Sequence, residues 1–111
     1  MASWSRFVAD RPDLASVAHD LLSGFGVGLA FLATIRRDGG PRLHPISPLL
    51  YEGGIFALLI PSPKRDDLLR DPRYALHSFP RPQDDALYLT GSVARVDSPA
   101  LAGGLRDWFY P

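Results

Sequence analysis

Apolar positions change their spacing several times along the chain, and each change marks an element. Leu14, Val17, Ala18, Leu21 and Leu22 recur every three to four residues, which predicts a helix over residues 12–24. Pro12 suits its first turn, Asp10 or Asp13 can cap it, and Gly24, Gly26 and Gly28 close it. Residues 27–35 are almost wholly apolar and end in Thr34-Ile35, the pattern of a strand covered on both faces. Asp38-Gly39-Gly40-Pro41 then supplies a hairpin turn. An extended segment, residues 42–51, contains Pro45 and Pro48. Proline cannot donate to a sheet ladder, so this strand belongs at an edge, or bulges or bends.

Glu52-Gly53-Gly54 forms a second turn, and residues 55–60 a third strand that Pro61 stops. Residues 62–71 read as a short helix with Leu68 and Leu69 on its buried side, closed by Asp71-Pro72. Residues 74–79 give a fourth strand, 80–85 a polar loop, and 87–96 a fifth strand with alternating character. Ser98-Pro99 opens a last helix toward Trp108 and Phe109, weakened by Gly103-Gly104. Strands joined by tight turns pair antiparallel. The expected fold class is therefore mainly β with peripheral helices, a small barrel or rolled sheet.

Composition narrows the functions this fold could serve. At 111 residues the chain suits a single domain, 1–111, and its 12 basic and 12 acidic residues leave no net charge. A neutral balance argues against a nucleic-acid partner. The absence of cysteine excludes disulfides, thiolate metal sites and a thiol nucleophile. His19, His44 and His77 are too scattered for a zinc cage, so no metal site is expected. No signal core or membrane-length apolar run occurs. The expectation is a cytoplasmic protein without a membrane partner.

Familiar catalytic signatures are missing. Gly24-Phe25-Gly26-Val27-Gly28 precedes a strand rather than following one, which does not fit a dinucleotide fingerprint. Asp66-Asp67 and Asp84-Asp85 are adjacent pairs, whose side chains point apart and read as solvated surface. Two segments carry more. In Arg42-Leu43-His44-Pro45-Ile46-Ser47, alternate residues share a face, and the prolines leave backbone groups outside the ladder. Such a segment can border a flat ligand, or can simply blunt a sheet edge against aggregation. In Ile60-Pro61-Ser62-Pro63-Lys64-Arg65, a strand meets a helix N-terminus beside a hydroxyl and two cations, one of them the only lysine. That corner can bind a phosphate, or can be a capped surface helix whose dipole Asp66 and Asp67 satisfy. Between residues 36 and 65, five cations face only Asp38 and Glu52. A modest local excess in a neutral chain suits a small anion better than a polymer.

Taken together, three stretches resemble the pyridoxamine 5′-phosphate oxidase-like, FMN-binding split-barrel family. They are the hairpin 33–46, the run Ser62-Pro63-Lys64-Arg65-Asp66-Asp67-Leu68 with Asp71-Pro72-Arg73-Tyr74-Ala75-Leu76-His77 after it, and Thr90-Gly91-Ser92-Val93-Ala94. The match covers about residues 14–100, departing from the commoner family residues at Pro63 and Asp67. The resemblance implies a six-stranded split β-barrel, homodimeric, with FMN in a groove at each subunit interface. By position, Arg42, Leu43, His44, Pro45, Ile46 and Ser47 would border the flavin ring. Ile60 and Ser62 would follow the ribityl chain, and Ser62, Lys64 and Arg65 would hold the phosphate.

The implied function is an FMN-dependent oxidoreductase acting on a small-molecule substrate by hydride transfer. The alternatives are a deazaflavin-dependent reductase of the same fold, or a flavin- or haem-binding module without turnover. Because a flavin carries its own redox chemistry, no catalytic residue is assigned. His44 can protonate a substrate or pack within the site, and His77, in an apolar strand, is expected in the core. Against the family the chain is short, and the expectation is a domain that lacks the family's last strand.

Overall fold

The computed structural model describes residues 4–23, 29–82 and 85–109. Its elements run α1 (Trp4–Asp10), α2 (Pro12–Ser23), β1 (Ala30–Ile35), β2 (Pro41–Ile46), β3 (Leu49–Tyr51) and β4 (Gly54–Phe56). They continue through α3 (Pro63–Arg70), β5 (Arg73–Ser78), β6 (Tyr88–Ser92) and α4 (Pro99–Phe109). Among the described residues, four helices hold more residues than six strands, so the fold is mixed α/β rather than mainly β. The glycines at 24, 26 and 28 lie outside the described residues.

Local chemistry accounts for most boundaries. In the β1–β2 hairpin the Arg36 N–H donates to the Gly40 carbonyl (2.8 Å), and Gly39 adopts φ 85°. In the two-residue β3–β4 turn, Glu52 and Gly53 both have positive φ, 44° and 77°, the conformation whose twist matches antiparallel strands. Pro63 stands at the start of α3, where the missing N–H costs nothing. Ser98 caps α4 by accepting the Leu101 N–H at 3.2 Å.

A four-stranded antiparallel sheet has the order β2-β1-β5-β6, and β3 and β4 form a separate two-stranded sheet. The expected meander of three strands is thus two hairpins in different sheets. Ser47-Pro48 interrupts the segment predicted as one strand, which divides into β2 and β3. As its prolines required, β2 is an edge strand. The third strand ends at Phe56 rather than residue 60, and the last at Ser92 rather than 96. The arrangement is compatible with a split barrel, and no closed barrel forms among the described strands.

One face of the large sheet carries the core. Ala30, Leu32 and Thr34 of β1 are buried, while the alternate residues are half-buried, so β1 is not covered equally on both faces. Leu22 of α2 packs with Ala30, Leu32 and Leu76, joined at the margin by Ile46, Leu68, Tyr74 and Leu89. The buried stripe of α2 runs through Ala15, Ala18, Leu21 and Leu22, whereas Leu14 and Val17 are exposed. His77 is exposed on the opposite face, its ring tilted near Tyr88, and its neighbour Ser78 is buried instead. The pairing Leu32↔Leu76 points Leu76 inward and turns the adjacent His77 outward. Ser78 is satisfied there because its hydroxyl accepts the Leu87 N–H at 2.8 Å.

Candidate functional site

The edge strand β2 and the chain entering α3 approach one another. Between them lies an open cleft of about 300 Å³. Five of the residues singled out from sequence line it: Pro45, Ile46, Ser47, Ile60 and Lys64. Leu29, Leu49 and residues 57–59 complete its mostly apolar wall. Arg65 faces an adjoining cavity of about 480 Å³, which shares Ile46 and residues 57–59 with the cleft.

The remaining candidates stand elsewhere. Leu43 is 67% exposed, and its partner Ala33 places it on the sheet face away from the core. His44 is exposed, with Nδ1 2.7 Å from the carbonyl oxygen of Pro45. Ser62 occupies the N-cap position of α3 in extended conformation without capping it by its side chain. Its hydroxyl donates to the Ile60 carbonyl at 2.9 Å, which leaves only acceptor capacity toward a ligand.

Charge pairing sets Lys64 apart. Asp10, Asp13, Asp38, Asp71 and Asp85 are each engaged by a nearby arginine. Among the described residues, no carboxylate pairs with Lys64 or Arg65. These two cations sit in the first turn of α3, where backbone N–H groups are also unpaired by the helix. The corner is electropositive with only exposed Asp66 beside it.

Asp67 contradicts the reading of Asp66-Asp67 as a solvated pair. It is 3% exposed, and its Oδ2 accepts hydrogen bonds from Thr34 Oγ1 and Arg42 Nε, both at 2.7 Å. Arg70 donates to its Oδ1 at 3.3 Å and also to the Ile35 carbonyl. The Arg42 hydrogen bond, with those from Thr34 and Arg70, outweighs desolvation and lowers the Asp67 carboxyl to about 2. Arg42 therefore holds α3 and does not line the cleft. Sequence reasoning missed this cluster. The predicted buried side, Leu68 and Leu69, did not mark it: Leu69 is 59% exposed, and Asp67 takes the buried position of α3.

No protein-family model matches this sequence, and no curated protein matches it. Solved structures do. A conserved hypothetical protein from Mycobacterium tuberculosis aligns over 78% of this chain and 55% of its own, at 26% identity and a TM-score of 0.64. A haem-binding protein from Mycobacterium smegmatis aligns over 85% of this chain and 46% of its own, at 16% identity and a TM-score of 0.60. HutZ, the haem storage protein from Vibrio cholerae, aligns over 88% and 74%, at 14% identity and a TM-score of 0.62. This chain shares their fold. It spans little more than half of the first and less than half of the second. Among the described residues, no helix is long and apolar enough to cross a membrane.

Proposed function

We propose that this protein holds a flat, anionic cofactor in the cleft between β2 and the entry to α3, and that the cofactor is FMN. The observation that carries the reading is the cleft's composition. Apolar walls from Leu29, Pro45, Ile46 and Ile60 meet a single cation, Lys64, that no described carboxylate neutralises. An apolar slot suits a ring system, and an unpaired ammonium beside free helix N–H groups suits a phosphate. Pro45, Ile46 and Ser47 would border the ring, Lys64 would hold the phosphate, and Arg65 would add positive charge nearby. When bound, FMN supplies the hydride chemistry of an oxidoreductase, while the chain binds, orients and excludes water. The substrate is a small molecule. A deazaflavin coenzyme, also a ring joined to phosphate, meets the same requirements.

A second reading, a haem-binding module without turnover, is favoured by the fold shared with a haem-binding protein and a haem storage protein. Haem is flat, and its two carboxylates could pair with Lys64 and Arg65. Among the described residues, the cleft lining contains no histidine, methionine or tyrosine to ligate iron, and the nearby His44 is turned to its own strand's carbonyl. That lining favours FMN.

The homodimer belongs to the same proposal. Leu43 and Tyr88 are 67% and 63% exposed on the sheet face away from the core, and a second copy would cover them.

Separate titrations with FMN, a deazaflavin coenzyme and haemin, followed by absorbance and flavin fluorescence, test the reading. FMN should bind, and Lys64→Ala should weaken it about tenfold or more, as loss of a charge-assisted contact does. Haemin uptake with an intense Soret band, without FMN uptake, would establish the second reading instead. Indifference to all three ligands overturns both.

A further inference from the structure

Asp67 is the only acidic side chain among the buried described residues, and neither binding nor chemistry in the proposed cleft uses it directly. A buried carboxylate is retained at a cost unless it is fully paired. Here the pairing is complete, since no buried side-chain polar atom among the described residues lacks a partner. Its donors come from both strands of one hairpin at a single register position, Thr34↔Arg42. Arg70 adds a third connection by bridging Asp67 to the Ile35 carbonyl. One carboxylate thus fastens α3 to the β1–β2 hairpin.

Both fastened elements contribute residues to the cleft lining. Lys64 lies three residues before Asp67, on the neighbouring helix turn. Pro45 and Ile46 lie further along the strand that carries Arg42. Fixing Asp67 against Thr34 and Arg42 therefore fixes the rotation of α3 and the distance from Lys64 to the strand. We propose that Asp67 is a positioning residue for the cofactor site: it sets the spacing between the phosphate-binding corner at Lys64 and the ring-bordering edge of β2. This deepens the FMN reading and rests on it.

Such a role predicts a selective defect. FMN spans both sides of the cleft, whereas riboflavin, which lacks the phosphate, needs only the ring side. Dissociation constants for FMN and riboflavin, measured by flavin fluorescence quenching, should be compared in wild type, Asp67→Asn and the milder Thr34→Val, with thermal unfolding recorded for each. Wild type should prefer FMN. Asp67→Asn should lose about tenfold in FMN affinity, the scale on which supporting groups tune a site, with riboflavin affinity nearly unchanged. Thr34→Val should shift the preference in the same direction by less. A variant that loses both ligands in parallel, or keeps the wild-type preference, overturns the positioning role while leaving the FMN site standing. Absence of any FMN preference in wild type overturns the phosphate corner and, with it, this proposal.

Discussion

Two neighbouring glycines in α4, Gly103 and Gly104, should respond to alanine very differently. A glycine inside a helix costs about 1 kcal/mol relative to alanine, through backbone entropy. At Gly103, a Cβ would meet nothing within 4 Å, so Gly103→Ala should recover most of that and stabilise by roughly 0.5–1 kcal/mol. At Gly104, a Cβ would stand 2.6 Å from the Tyr51 hydroxyl and 3.3 Å from its ring carbon Cζ. Tyr51 is half-buried on β3 and paired with Gly54 across the hairpin, so its ring must move as a rigid body to make room. Overpacking of this kind costs about 1–3 kcal/mol, which cancels or exceeds the propensity gain. The two variants should therefore differ by about 1–3 kcal/mol, with Gly103→Ala the more stable. For a domain of this size that separates their melting temperatures by roughly 4–12 °C. Urea and thermal unfolding monitored by circular dichroism would measure it. Equal stability, or a more stable Gly104→Ala, would refute the close packing of α4 on β3.

Two further outcomes follow from the same geometry. Asp67 is held at about 2 against an ordinary 3.8, so its contribution is fully present above pH 3.8 and fades as pH falls through about 2. Acid titration of stability should show a decline in that window that Asp67→Asn flattens; parallel profiles would discount the paired carboxylate. Sedimentation velocity should show a dimer, and Leu43→Asp with Tyr88→Asp, charging the exposed sheet face, should shift it to monomer. A wild type that stays monomeric at every concentration would sink the proposed interface.

The cleft was partly legible in the chain. Its strand side and its cationic corner were both marked locally, by Pro45 in an extended run and by Lys64 where a strand meets a helix N-terminus. What joins them was not. Asp67 reads as one of two adjacent surface carboxylates until Thr34 and Arg42, far away in sequence, arrive beside it. Arg42 likewise reads as a ligand contact until its guanidinium is seen on Asp67.

Features whose causes lie within a few residues were already readable in the chain. These are the hairpin turn at Glu52-Gly53, the helix start at Ser98, and the exclusion of Pro45 from an interior strand. Tertiary structure decided what depends on distant partners. It paired β1 with β5 across the whole β3–β4 hairpin and α3, and it separated β3 from β2 into another sheet. It also turned His77 outward and buried Asp67. Backbone sterics and capping act locally and leave a mark at each position. Strand pairing and charge burial are settled by whichever surfaces meet, because a buried group is stable only beside a partner that the fold delivers.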